Sequence, residues 1–137
     1  MADPVPRLEQ FFEEHSEGVV SAYLFGSHAR GTPHRESDID VAVLFDRGAA
    51  PMPDERFERR VRMLGDLIAA LERNAVDLIV LNDVPPQLAR AALRGRRVFC
   101  RDSEAEHAFL RTTLSRAADL EPFLRRVRRL KLDAIAR

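Results

Sequence analysis

One cysteine, one tyrosine and no tryptophan stand in a chain of 137 residues. The lone Cys100 excludes an intramolecular disulfide, and no cysteine-based zinc cluster can be built from this chain alone. Cys100 reads as a small core-facing residue, with a reactive thiol as the alternative. No apolar run approaches the length of about 20 residues that spans a bilayer. Residues 2–14 carry five charges and no apolar stretch, so neither a signal peptide nor a membrane location is expected, and the chain is expected to be cytoplasmic. Internal repeats and low-complexity segments are also lacking, and only residues 47–53, with Gly48, Pro51 and Pro53, resemble a linker. Net charge is zero, but the zero is a sum of opposites. Residues 1–83 hold 9 Lys/Arg against 16 Asp/Glu, whereas residues 84–137 hold 13 against 6. An acidic front and a basic tail can attract each other, a polyphosphate or a partner protein, and a solvated helix face explains many of the tail's arginines equally well.

What is present fits one domain over residues 1–137, with a hydrophobic fraction of 45%. A helix is expected over residues 6–14, burying Leu8, Phe11 and Phe12, followed by a strand over 19–25 that Gly26 ends. Residues 39–45 form a second strand, apolar along most of its length as where both faces are covered. Phe57, Val61, Leu64, Ile68 and Leu71 alternate in steps of four and three, which predicts a helix over 54–71 with these residues on one face. A third strand follows at 76–81, then a helix opened by Pro85 and Pro86 and ended by Gly95, and a short edge strand at 97–100. Ser103 and Glu106 have the form of a capping box opening a helical C-terminal region over 103–137, which Pro122 is expected to break or kink. The element order predicts an α/β (α+β) domain with a mixed sheet of about four strands flanked by helices.

The chemistry concentrates between the first two strands. Side chains two apart in a strand share a side, so Asp38 and Asp40 can place both carboxylates beside one site. Two carboxylates so close repel unless a cation or proton lies between them, and Mg²⁺ is the hard ion held by few carboxylates together with substrate phosphates. A bare Asp-x-Asp is a weak signal, since turns, caps and solvated strand ends produce it too. Upstream, with ten residues intervening, Gly26-Ser27 ends the first strand, where glycine permits close backbone approach and the serine hydroxyl and exposed amides can donate to phosphate oxygens. Asp77 adds a third carboxylate at the start of the third strand. It has two readings: a site residue beside Asp38 and Asp40, or a strand-end residue paired with a loop amide or an arginine. Arg30, and less so Arg35, can neutralise phosphate charge or simply face solvent. His15, His28, His34 and His107 lack metal-ligand spacing and read as loop or surface polarity.

Gly26-Ser27-His28-Ala29-Arg30-Gly31, Ser37-Asp38-Ile39-Asp40-Val41 and Val76-Asp77-Leu78 together resemble the minimal nucleotidyltransferases of the DNA polymerase β-like superfamily. Within that group the chain is similar to the MNT antitoxins that accompany HEPN ribonuclease toxins. The motif-bearing part covers residues 21–83, and the tail is similar in general plan only. The resemblance implies a nucleotidyltransferase fold with its catalytic core over residues 19–83. It implies two Mg²⁺ ions on Asp38 and Asp40, with Asp77 completing one metal site, and a triphosphate held by Gly26, Ser27 and Arg30. The implied reaction moves AMP from ATP to a protein hydroxyl, a tyrosine of the cognate HEPN toxin, within a hetero-oligomer. Two other functions remain open: an antitoxin that masks its toxin without catalysis, and a small-molecule nucleotidyltransferase of the aminoglycoside-modifying kind. A template-directed polymerase would need fingers and thumb domains for which little chain remains. Direct nucleic-acid binding by Arg125, Arg126, Arg128, Arg129 and Lys131 is not expected, because Val127 and Leu130 keep apolar spacing there and no aromatic residues interleave.

Overall fold

Apolar runs and helix-period stripes set the elements of the chain. A computed structural model describes residues 3–26, 38–73 and 75–136, with side chains up to residue 130. Its elements are α1 (Val5–Glu14), β1 (Val19–Phe25), β2 (Ile39–Phe45), α2 (Pro53–Leu71), β3 (Val76–Val80), α3 (Pro86–Leu93), β4 (Arg96–Cys100) and α4 (Ser103–Ala136). The strands form one sheet in the order β3-β2-β1-β4, parallel between β2 and β3 and antiparallel elsewhere. This is the mixed four-stranded sheet flanked by helices that the element order predicted.

Each sheet face carries its own core. On one face Leu8, Phe11 and Phe12 of α1 and Met63, Leu67 and Leu71 of α2 pack on Leu24, Val41, Val43 and Leu78. On the other, Ala89 and Ala92 of α3 and Phe109 of α4 pack with Val20, Tyr23, Ala42 and Leu44. β2 lies between two neighbours and beneath both helical layers, which is why its sequence is apolar rather than alternating. Gly95 ends α3 for a steric reason: a Cβ there would run into the carbonyl oxygen of Leu24, so the turn into β4 can press against β1.

Three expectations are corrected. The α2 stripe is turned by about one residue: Phe57 is 61% exposed and Val61 also faces outward, while Arg56, Met63, Leu67 and Leu71 are buried. The cause is polar. Arg56 donates from Nε and Nη2 to Asp83 at 2.9 and 2.7 Å and from Nη1 to the Ala50 carbonyl at 2.9 Å. Arg60 Nε donates to the Leu78 carbonyl at 2.6 Å. These charge-assisted bonds draw the Arg56–Arg60 side of the helix onto the sheet edge and swing Phe57 away.

The capping box is the second correction. Asp102 rather than Ser103 caps α4, accepting from the Ala105 amide at 3.1 Å, and Glu106 turns inward. Third, α4 runs through Pro122 without a break. The ring removes one amide, leaving the Ala118 carbonyl without its helical donor. Both residues are exposed, so water can serve that carbonyl instead. Among the described residues no helix is long and apolar enough to cross a membrane.

Candidate functional site

Strand direction gathers the motif. β1 ends where antiparallel β2 begins, and β3 begins beside β2 because those two are parallel, so Gly26, Asp38, Asp40 and Asp77 share one end of the sheet. Phe25 pairs with Asp40, and Asp40 pairs directly with Asp77. Register partners point to the same face, so Asp40 and Asp77 lie on the side that Ala42 and Ile79 share with α3 and α4. Asp38 stands one residue before β2 and is exposed. The sheet thus brings together the three carboxylates named from the sequence. Ser27 and Arg30, with His28, His34 and Arg35, lie outside the described residues.

Gly26 shows how closely the chain approaches this site. Its φ is +77°, a left-handed conformation, and a Cβ added there would overlap Asp40 Oδ2. Backbone and carboxylate therefore share a space that only glycine leaves open.

Asp77 carries a contact that sequence reasoning offered only in outline. Its Oδ1 lies 3.7 Å from Arg60 Nη2, with 54% of the Asp77 side chain exposed. Nothing local in the sequence identified Arg60 as that arginine, because its position depends on how α2 is rotated on the sheet edge. The donor set suits a hard divalent cation, being carboxylate oxygen throughout. Among the described residues, however, no three or more His, Cys, Asp or Glu side chains already surround one point. Asp38 and Asp40 fit as the holders of such an ion, and Asp77 would join them by leaving Arg60.

A second polar cluster, unforeseen, sits on the same sheet face. The Tyr23 hydroxyl donates to Glu106 Oε2 at 2.5 Å and lies 3.0 Å from Ser21 Oγ. Arg97 Nη1 donates to Glu106 Oε1 at 2.6 Å, so both carboxylate oxygens have partners. Burial, reinforced by the bond to Glu106, pushes the Tyr23 hydroxyl far above its ordinary range. Burial pushes the Cys100 thiol up as well, with Glu106 adding to it, so Cys100 is poorly disposed to react as a thiolate. The one available signal for this cluster was a glutamate on the α4 face that also carries Thr113 and Ala117.

Residues 7–104 match the family model described as "Polymerase beta, Nucleotidyltransferase". The chain belongs to that family. The matched region runs from α1 into the first turn of α4 and contains the whole carboxylate site. Known structures extend the likeness to the full chain. A chain of a toxin–antitoxin crystal structure with AMP-PNP is 25% identical, with a TM-score of 0.65, 97% of this chain and 98% of that one being covered. A chain of a mutant MntA-HpeT toxin–antitoxin structure is 26% identical, with a TM-score of 0.66 and coverage of 96% and 97%. A chain of the tri-AMPylated Shewanella oneidensis HEPN toxin in complex with MNT antitoxin is 21% identical, with a TM-score of 0.60 and coverage of 97% and 96%, and shares the fold. No curated protein matches the chain.

Proposed function

We propose that this nucleotidyltransferase-family chain is the antitoxin of a toxin–antitoxin pair and transfers AMP from ATP to a protein hydroxyl, a tyrosine of its HEPN-type toxin. The observation that carries the reading is the Asp40–Asp77 register pair at the sheet end where Gly26 closes on Asp40. It is supported by near-complete coverage of a 25%-identical toxin–antitoxin chain crystallised with AMP-PNP. The cytoplasmic location expected of the sequence suits a reaction that consumes ATP.

In the reaction, the acceptor oxygen forms a bond to the α-phosphorus of ATP in line with the bond that breaks, and pyrophosphate leaves. Gly26 and Ser27 bind the triphosphate, the glycine by letting the backbone approach and the serine by donating its hydroxyl. Arg30 neutralises the leaving phosphates. Asp38 and Asp40 would hold Mg²⁺, and Asp77 would join them and orient the acceptor hydroxyl. When bound, the metal supplies charge stabilisation for the entering and leaving oxygens. The remaining contribution is positioning by a rigid sheet end.

A second reading, an antitoxin that works by masking alone, is favoured by the Arg60–Asp77 contact, which occupies the third carboxylate. One experiment separates the two. The purified chain, its genomic neighbour, Mg²⁺ and α-labelled ATP are combined, and label on the neighbour is measured. Transfer that disappears in the Asp38→Asn, Asp40→Asn double variant is expected. No transfer with the natural chain, while both forms still neutralise the toxin in cells, would leave masking as the function.

A further inference from the structure

α4 is 34 residues long, but the body of the protein uses only its first half. Glu106, Thr113 and Ala117 are buried, Gln87 Nε2 of α3 donates to the Ala117 carbonyl at 3.1 Å, and Arg90 of α3 meets Glu121 at 4.0 Å. Beyond these contacts the chain continues for about 25 Å at the helical rise per residue. The apolar face does not stop there. At 100° per residue, Leu120, Leu124 and Val127 fall within about 60° of the direction set by Glu106, Thr113 and Ala117, and Phe123 and Leu130 stand about 100° and 120° from it on the same side. Phe123 is 55% and Leu130 63% exposed. The apolar face thus drifts by about 60° along the helix, covered by α3 and β1 proximally and uncovered at Phe123 and Leu130 distally.

The uncovered segment carries mainly one sign of charge. Residues 120–130 contain Arg125, Arg126, Arg128 and Arg129 against the single acid Glu121. Arg125 reaches Glu121 at 2.9 Å, and Glu121 also faces Arg90, which leaves the segment strongly positive. A second copy of this chain is a poor occupant, because packing stripe on stripe brings its own arginines together. A phosphate backbone would meet the arginines but would leave Leu120, Phe123, Leu124 and Leu130 in water.

We infer that the distal half of α4 is a docking surface for an amphipathic helix of the partner protein, one whose apolar face is bordered by Asp and Glu. The inference rests on the partnership proposed above and locates it on the distal half of α4. The apolar stripe supplies most of the affinity, and the arginines supply orientation and speed of encounter.

The test is titration calorimetry of the full-length chain against the protein encoded beside it, with circular dichroism and thermal unfolding as fold controls. Phe123→Glu with Leu130→Glu is expected to weaken binding about thirtyfold or more, the level of an interface hot spot, with unfolding unchanged because both residues are exposed. Reversal of Arg125, Arg126, Arg128 and Arg129 to Glu is expected to weaken binding in low salt and to matter less as salt rises. The Asp38→Asn, Asp40→Asn variant is expected to bind as the natural chain does. Natural affinity in both α4 variants overturns the docking surface while leaving the antitoxin reading intact. Absence of binding by the natural chain sinks the antitoxin reading and this surface with it. Two other results also overturn the proposal: an RNA oligonucleotide bound through the arginines with Phe123→Glu neutral, or self-association of the natural chain that Leu130→Glu abolishes.

Discussion

Two sets of carboxylates occupy the same face of one sheet and are treated in opposite ways. Glu106 is buried, with 8% of its side chain exposed, and both of its oxygens are hydrogen-bonded by Arg97 and Tyr23. Asp38 and Asp77 are exposed, and Asp77 faces both a like charge in register and an arginine 3.7 Å away. A buried, saturated carboxylate serves the fold: it ties α4 to β1 and β4. Carboxylates crowded at an accessible sheet end work against the fold, because like charges directly opposite each other destabilise a sheet. That arrangement suits the cation-holding role proposed above.

The contrast is broken most forcefully at Asp40. Replacing it with Asn should lower AMP transfer by on the order of a thousandfold, corresponding to roughly 4 kcal/mol of lost transition-state charge stabilisation. The melting temperature should change far less than transfer does, since Asn keeps the size and one oxygen acceptor of the side chain. Single-turnover label transfer and calorimetry on the same preparation would show the split. A parallel fall in both quantities would mean that Asp40 is structural and the contrast false.

Glu106→Ala should behave in the reverse manner. It leaves the Tyr23 hydroxyl with Ser21 alone and one side of Arg97 unpaired, which costs about 2–3 kcal/mol, the lower part of the range for broken buried pairs because Arg97 itself is half-exposed. In a chain of this size that is a fall of roughly 10 °C in melting temperature. Transfer below that temperature should be nearly normal. Gly26→Ala belongs between the two sets. The left-handed φ costs about 1–2 kcal/mol for a residue with a Cβ, and the methyl must also displace the Asp40 carboxylate. A modest drop in stability with a larger drop in transfer is expected, read by urea unfolding and by kcat against KM for ATP.

The fold was legible because its signals are local and repeated. The apolar runs of β1 and β2, the stripe Leu8-Phe11-Phe12, and Pro86 opening α3 each state their own element, and every strand lies within a residue or two of its expected place. The placement of the three carboxylates was legible for a different reason: Asp38, Asp40 and Asp77 stand at strand starts, so knowing the strands is nearly enough to know that they share one end of the sheet. What could not be read is whatever depends on a long-range polar contact. Arg56 and Arg60 rotate α2 through bonds to Asp83 and the Leu78 carbonyl, and a periodicity of apolar residues contains no term for that. Glu106 looked like half of a capping box because that motif is defined three residues apart, whereas its true partners lie 83 and 9 residues away. At Pro122 the break did not occur, because water can reach the Ala118 carbonyl that the ring leaves without a donor.

The smallest effect tests the fold-serving cluster from inside. Tyr23→Phe removes the hydroxyl that Glu106 accepts, at a cost of about 1 kcal/mol near neutral pH. Its pH dependence carries more information than its size. Burial raises the folded-state pKa above the unfolded value of about 10, so above that pH the unfolded chain releases a proton that the folded chain keeps. The folded state then binds more protons, and stability falls as pH rises, whereas below about pH 10 this contribution is constant. Each further pH unit removes about 1.4 kcal/mol until the folded pKa is reached, so natural chain and variant should become equally stable near pH 11. Tyr23 is the one tyrosine in the chain, which lets phenolate absorbance follow this group alone while urea unfolding follows stability. A stability gap that stays constant from pH 8 to pH 11 would show that burial beside Glu106 does not hold the phenol protonated. The division between carboxylates that serve the fold and carboxylates that serve the site would then rest on Arg97 alone.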